Sequence, residues 1–204
     1  MRNVLDHELE VTPHPHDRDS GLFIRKATMR DIHPLLDLIN SYAEKGVMLP
    51  RTEFEMSENI RDFVLAFAGD KLAGCGALHF YSPTSGEVRS LAVDPNATSR
   101  GIGRRIVEAL ESDARECALH SIFAFTYVSG FFEKLGFVEV ERGELPLKVW
   151  KDCLRCPKFQ CCDETAVIKY LVPPHDREPV REPAEFSLVP LPTLKTSKST
   201  LIVK

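Results

Sequence analysis

Residues 87–117 read EVRSLAVDPNATSRGIGRRIVEALESDAREC, and the order of signals within them decides the fold. The run 88–93 is β-prone, and Asp94-Pro95-Asn96 ends it. A small polar loop holding Gly101 and Gly103 follows, and then a helix. Ile102, Ile106, Ala109, Leu110, Asp113, Ala114 and Cys117 fall at helical spacing, which gives this helix one mostly apolar stripe for a core. Arg104 with Glu108, and Glu111 with Arg115, stand four apart on its polar side. Strand, glycine loop and helix N-terminus in that order make an anion site. Free N–H groups and the positive end of the helix dipole converge there, and glycine lets a phosphate approach the main chain. The loop is not of the Walker kind, because no Gly-Lys-Ser/Thr follows, and it lacks the third glycine of a dinucleotide fingerprint.

Upstream of this stretch, residues 22–25 form a short strand. Thr28 with Asp31 makes a rough capping box for a helix whose buried stripe is Ile32, Leu35, Leu36, Ile39 and Tyr42, with Pro34 tolerated in its first turn. Residues 44–54 are a loop over the substrate side, 56–62 a second short helix, and 63–68 and 71–81 two strands joined by Gly69-Asp70. Downstream, 121–126 is a strand, 130–135 a short helix closed by Gly136, 137–140 another strand and 166–172 the closing strand. The fold class is α/β in the α+β sense, a sheet of six to seven strands flanked by helices. Residues 1–20 read as a mobile leader and 21–172 as one domain, of which 144–165 is a Cys-rich segment particular to this chain. Residues 173–204, with six prolines and a Lys/Ser/Thr-rich end, read as a tail.

Composition narrows the function. At 204 residues the chain is long enough for one domain with a sizeable core. A net charge of −4 speaks against a nucleic-acid partner. No apolar run approaches the roughly 20 residues of a membrane span, and the polar N-terminus is not a secretory signal, so the expected location is cytoplasmic with no membrane partner. Six cysteines in such a chain suggest free thiols or a metal rather than a disulfide framework.

The string LAVDPNATSRGIGRRIVEAL resembles the central motif of the GCN5-related N-acetyltransferases (the GNAT superfamily), whose loop binds the pyrophosphate of acetyl-CoA. FFEKLGFVEV resembles that family's second signature, and the pattern Ile24-Arg25-x-Ala27-Thr28-x-x-Asp31 resembles its usual beginning. The likeness covers roughly residues 22–172 and implies that the sheet is mixed and mostly antiparallel. It implies acetyl-CoA as cosubstrate, held by Thr98, Ser99, Arg100, Gly101, Ile102, Gly103 and Arg104, with Phe132 also against it. Thr98 stands where the family usually has Arg or Gln, and Arg100, Arg104 and Arg105 restore the positive charge. It also implies a bulge that splays the central strand from its neighbour, so that backbone N–H groups of about Leu91, Ala92 and Val93 meet the acyl carbonyl.

Acetyl transfer to an amine further needs a base for the ammonium and a proton for the departing thiolate. EVRSLAV resembles the N-acetylglutamate synthases, in which a Glu stands at the position of Glu87 and a small Cys or Ser three residues on, here Ser90. Glu87 is therefore the candidate base; its plain alternative is a strand-end surface carboxylate. The family's usual tyrosine acid is replaced by Phe132, which leaves Tyr127, Ser129, Thr126 or a water, each with a structural alternative: core edge, helix cap and strand residue for the three side chains.

GVMLPRT resembles the synthase loop that supplies an arginine to the substrate carboxylate, here Arg51, and a guanidinium fork suits a carboxylate bidentately. Arg89 could neutralise a second carboxylate or pair with Glu87. The segment ELPLKVWKDCLRCPKFQCCDE resembles the C-terminal part of the short stand-alone synthases, with Lys148 and Lys158 as candidate anion contacts. The implied reaction is acetylation of the α-amine of L-glutamate, the first step of arginine biosynthesis. The alternatives are another small amine or a protein N-terminus, or a CoA-binding regulatory module without turnover. Cys153, Cys156, Cys161 and Cys162 supply four thiols, but adjacent Cys161 and Cys162 strain a shared tetrahedron, so free thiols stand ahead of zinc and no metal is required. The seven histidines show no ligand spacing, and His79 reads as a satisfied, half-buried strand residue. An exposed sheet edge leaves a homodimer open.

Overall fold

The computed structural model describes residues 21–145, 154 and 156–176, without the side chains of Thr98, Ser99, Arg100, Phe159 and Pro174. The expected leader, most of the tail, Lys148 and Cys153 lie outside the described residues.

Seven strands form one sheet in the order β1-β2-β3-β4-β5-β7-β6. β1 is Leu22–Lys26, β2 Phe63–Ala68, β3 Lys71–Phe80, β4 Ser85–Val93, β5 Ser121–Thr126, β6 Val138–Glu139 and β7 Thr165–Tyr170. Every ladder is antiparallel except β4 with β5, whose parallel pairing requires the crossover helix α3, Ile102–Glu116. Helices α1, Ile32–Ala43, and α2, Glu53–Asn59, precede β2, and α4, Ser129–Glu133, follows β5.

Side-chain alternation divides the core between the two faces of this sheet. On one face Ile102, Ile106, Leu110 and Ala114 of α3 pack on Leu78, Val88, Ile122, Ala124 and Val167. On the other, Leu35, Ile39 and Met56 of α1 and α2 pack on Leu65, Cys75, Ala77 and Ala92. Phe123 alternates with Ile122 and Ala124, so it shares the α1 face, where it joins Tyr81, Leu145 and Ala166. Close docking of α3 requires Gly76, because a Cβ there would lie 2.8 Å from the Ile106 side chain.

Several boundaries differ from the sequence reading. The second helix begins at Glu53 and ends at Asn59, continuing as a 3-10 turn over Ile60–Asp62, rather than running over 56–62. Thr52 is its cap: the Thr52 hydroxyl accepts the Glu55 N–H at 3.2 Å, and the Glu55 carboxylate accepts the Thr52 N–H at 2.9 Å. The apolar stripe of α3 takes in Val107, whereas Cys117 is exposed and Asp113 pairs with Lys26. β7 stops at Tyr170 because the N–H groups of Leu171 and Val172 turn to the His120 carbonyl at 2.8 and 3.3 Å. The fourth helix starts at Ser129, and the strand expected over 137–140 shortens to Val138–Glu139, with the Val140 N–H still reaching the Ala166 carbonyl at 3.0 Å. At the other end, the carboxylate of Asp31 accepts both the backbone N–H and the hydroxyl of Thr28, as the capping pattern implies.

Candidate active site

Two irregularities in β4 shape the site. Opposite β3 the register passes from Cys75↔Ala92 to Ala77↔Arg89, so Gly76 alone faces both Ser90 and Leu91. This is a β-bulge, and Ser90 carries it at φ 52, a left-handed conformation that is costly for a residue other than glycine. The buried Cys75 thiol donates to the Ser90 carbonyl at 3.6 Å, and burial pushes its pKa up to about 12, which keeps it a neutral thiol. Beside β5, pairing is confined to Ser85–Glu87 against Ser121–Phe123, whereas the other edge of β5 pairs with β7 along its whole length. The two strands therefore part company beyond Glu87.

Backbone direction follows from one bond. The Asp94 N–H reaches the Ala73 carbonyl on the β3 side at 2.9 Å. By the two-residue alternation of a strand, Val93 and Leu91 then turn their N–H groups away from β3, toward the gap. Tyr42 of α1 donates its hydroxyl proton to the Val93 carbonyl at 2.5 Å and holds that end of β4 in place.

The loop after β4 is a 3-10 turn over Pro95–Arg100, pinned where the Asp94 carboxylate accepts the Asn96 N–H at 2.9 Å. Gly101 follows at φ 65 and is the residue from which α3 departs. An added Cβ there would meet nothing, so what the position needs is the left-handed turn itself. Gly103, in the first turn of α3, lies under the Phe131 ring and beside Val93, where a Cβ would come within 3.4 and 3.7 Å of them. The end of β4, the start of α3 and the start of α4 thus converge. Ile102 is buried beneath them, and Arg104 stays on the surface near Glu108 at 3.7 Å. Phe132 is only 3% exposed, packed edge-on between Phe131 and Phe137, so it is a core residue here and Phe131 is the one beside the glycine loop.

On the α1 face, Glu87 and Arg89 stand two apart on β4, on the same side as their β3 partners His79 and Ala77. Arg51 and Arg89 line one small pocket with Glu55, Met56, Asn59 and Phe63. The Arg51 backbone is fixed by Asn40, whose side-chain amide donates to its carbonyl at 3.0 Å and accepts its N–H at 2.9 Å. Arg89, with a side chain 11% exposed, donates to Asn59 Oδ1 at 3.4 Å and lies 3.8 Å from Asp62 Oδ2. Asp62 also accepts from His79 Nδ1 at 2.7 Å. Asp62 is thus a carboxylate beside Arg89 that the sequence did not point to.

Around the end of β5, Thr126 alternates to the α3 face, and its hydroxyl accepts the Val128 N–H at 3.0 Å. Val128, not Ser129, occupies the cap position of α4. Tyr127 is 41% exposed, and its phenol accepts from Lys158 Nζ at 3.1 Å while the ammonium lies over its ring. Burial, with the carboxylates Asp163 and Glu164 nearby, holds the phenol pKa above its usual value. Lys158 is itself paired with Asp163 at 3.1 Å, and its pKa is raised by the phenol and that carboxylate. Cys156, Cys161 and Cys162 are free thiols, Cys162 donating to Glu164 at 3.7 Å. Among the described residues, no three His, Cys, Asp or Glu side chains are grouped to hold a metal ion. Nor is any helix among them long and apolar enough to cross a membrane.

Sequence reasoning missed Asn40, Asn59, Asp62 and the cap at Thr52. Only the last had a local signal, Thr52-x-x-Glu55 before an apolar residue.

A parted pair of central strands, a bulge and a left-handed glycine opening a helix define an acetyltransferase fold, and the family comparison agrees. The model of the acetyltransferase (GNAT) family matches residues 30–137, and the chain belongs to that family. It is 38% identical over 148 residues to an uncharacterized N-acetyltransferase of Chlorobaculum tepidum, covering 72% of this chain and 96% of that one. It is 34% identical over 141 residues to an amino-acid acetyltransferase of Mycobacterium tuberculosis, covering 68% and 80% of the two chains. The N-acetylglutamate synthase of Neisseria gonorrhoeae, solved with coenzyme A and N-acetyl-glutamate, superposes with a TM-score of 0.68 at 27% identity. That match covers 74% of this chain and 35% of the other.

Proposed function

We propose that this acetyltransferase moves the acetyl group of acetyl-CoA to the α-amine of L-glutamate, the first step of arginine biosynthesis. The observation that carries the reading is the meeting of Arg51 and Arg89 in one pocket on the strand face that bears Glu87. Two guanidinium groups suit an acidic amino acid with two carboxylates, and they oppose a polyamine. The M. tuberculosis relative is named an amino-acid acetyltransferase, and the N. gonorrhoeae structure holds N-acetyl-glutamate, which supports the same substrate class.

The residues present fit acetyl-CoA: an open strand flank at Leu91 and Val93 for the acyl oxygen, and the start of α3 after Gly101 for the pyrophosphate. When bound, the thioester supplies an activated acyl group. Glu87 takes a proton from the substrate ammonium, so that the amine lone pair is free to attack. The Leu91 and Val93 N–H groups receive the negative charge that develops on the acyl oxygen. Arg51, and Arg89 backed by Asn59 and Asp62, hold the carboxylates and so fix the amine relative to Glu87.

The test follows thiol release from acetyl-CoA with L-glutamate, glutamine, aspartate, arginine and spermidine, the product being confirmed by mass because the chain carries six cysteines of its own. Glutamate is expected to give the highest kcat/KM. Glu87→Gln should lower kcat by about 100-fold or more, and Arg51→Ala should act mainly on the KM for glutamate. A higher kcat/KM with another amine overturns the substrate, and acetyl-CoA binding without turnover on any amine favours a regulatory module.

A further inference from the structure

Beyond the substrate carboxylates and the base, the α1 face holds an Asp–His pair whose histidine acetyl transfer as described leaves unused. Asp62 Oδ2 and His79 Nδ1 are 2.7 Å apart. An ionised carboxylate can only accept, so the ring proton sits on Nδ1 and the lone pair on Nε2. His79 is the direct cross-strand partner of Glu87, and such partners carry Cβ atoms about 5 Å apart on one face of the sheet. Tyr81 meets the imidazole edge-on at 5.0 Å and limits its rotation. The His79 side chain is 30% exposed, so a ring beside Glu87 also reaches solvent.

We propose that His79, oriented by Asp62, takes the substrate proton from Glu87 and passes it to bulk water. The inference rests on Glu87 being the base. The amine N–H bond breaks as a Glu87 O–H bond forms; that proton then moves to His79 Nε2, directly or through one water. The resulting imidazolium is balanced by Asp62, and release of the Nε2 proton to solvent restores the neutral ring. Glu87 is thereby an ionised base again for the next turnover. His79 acts through Glu87 and is a positioning residue for the proton path rather than a group on the substrate. The charges facing it are Asp62 from the turn after α2, and Glu87 and Arg89 from β4, with Tyr81 on its own strand's continuation. Glu55 and Arg51 stand on the other walls of the adjoining pocket.

Two measurements on the full chain test this. The first is an NMR titration of the His79 ring, assigned by loss of its signal in His79→Gln, in the wild-type, Glu87→Gln and Asp62→Asn proteins. Removing either carboxylate should change the titration curve of the ring; a curve unchanged in Glu87→Gln overturns the proposal. The second is the pH profile of kcat with whichever amine turns over. His79→Gln should lower kcat by roughly 10- to 100-fold and remove one ionisation from the profile, with the KM for acetyl-CoA unchanged. A profile superimposable on wild type overturns it. If His79→Gln does not fold, His79→Asn supplies the assignment and the Glu87→Gln titration decides. Absence of glutamate turnover in the wild-type chain would be a failure of the substrate reading alone, because the NMR coupling is read without turnover.

Discussion

The side-chain amide of Asn40 binds the backbone of Arg51 on both sides, donating to its carbonyl at 3.0 Å and accepting its N–H at 2.9 Å. A loop residue is thereby tied to α1, and Thr52 starts α2 immediately after it. Asn40→Ala removes both bonds, each worth about 1 kcal/mol, and frees the loop that carries the guanidinium. The expected result is a rise of about tenfold in the KM for the amino-acid substrate, with the KM for acetyl-CoA unchanged, because misplacing a positioning group costs affinity only where it acts. Steady-state kinetics with each substrate varied in turn checks this.

A second prediction concerns acid stability. Asp31 accepts two bonds from the Arg25 guanidinium, at 2.7 and 2.8 Å, and two more from Thr28. The guanidinium bond, with help from Thr28, lowers the Asp31 pKa from 3.8 to about 2 against a smaller opposing effect of burial. The folded pKa lies below the unfolded one, so the stabilisation is complete above about pH 4 and disappears as pH falls through about 2. It amounts to roughly 2 kcal/mol at most. Asp31→Asn should therefore lower Tm at pH 6 and lose that disadvantage near pH 2, seen in paired thermal melts across the acid range.

How much of this was legible in the sequence depends on whether the signal was local. The span of β5 over Ser121–Thr126 and of β2 over Phe63–Ala68 could be read directly, because short apolar β-prone runs ended at turn residues. The ion pairs Arg104–Glu108 and Glu111–Arg115 could be read because four-residue spacing fixes who meets whom on a helix. Arg51 and Arg89 could be named as candidates, but not their shared pocket, since 38 positions separate them and only the sheet and α2 bring them together. Asp62 gave no signal at all. A carboxylate at a helix end looks like a solvated one until His79 and Arg89 are folded onto it. Phe132 shows the reverse case: resemblance placed it against the cofactor, and aromatic packing put it in the core, with its neighbour Phe131 at the loop.

The bulge can be probed through its strained residue. Ser90 sits at φ 52, and a left-handed conformation costs a residue with a Cβ about 1 kcal/mol or more. Ser90→Gly should raise Tm by about 2–4 °C for a domain of this size, whereas Ser90→Val, which adds β-branching at positive φ, should lower it by at least as much. If the bulge also sets the N–H groups of Leu91 and Val93, Ser90→Val lowers kcat as well. Thermal melts and initial rates on the two variants measure both effects.

The last prediction separates two candidates for the proton that the departing thiolate needs. A Cβ at Gly103 would meet both Phe131 and Val93, so the first turn of α4 stands at the mouth of the gap between β4 and β5. Ser129 is the first residue of that turn, and Val128 holds the cap position in its place. The Tyr127 phenol, by contrast, accepts a bond from Lys158, half-exposed and tied to the segment around Asp163. Its raised pKa keeps it protonated at neutral pH, but its position links it to that segment rather than to the gap. Ser129→Ala is therefore expected to lower kcat by about 10- to 100-fold with little change in either KM. Tyr127→Phe removes only an acceptor for the lysine and should leave kcat within about threefold. Rapid-mixing kinetics that resolve the chemical step decide between them, and the reverse ranking would assign the acid to Tyr127.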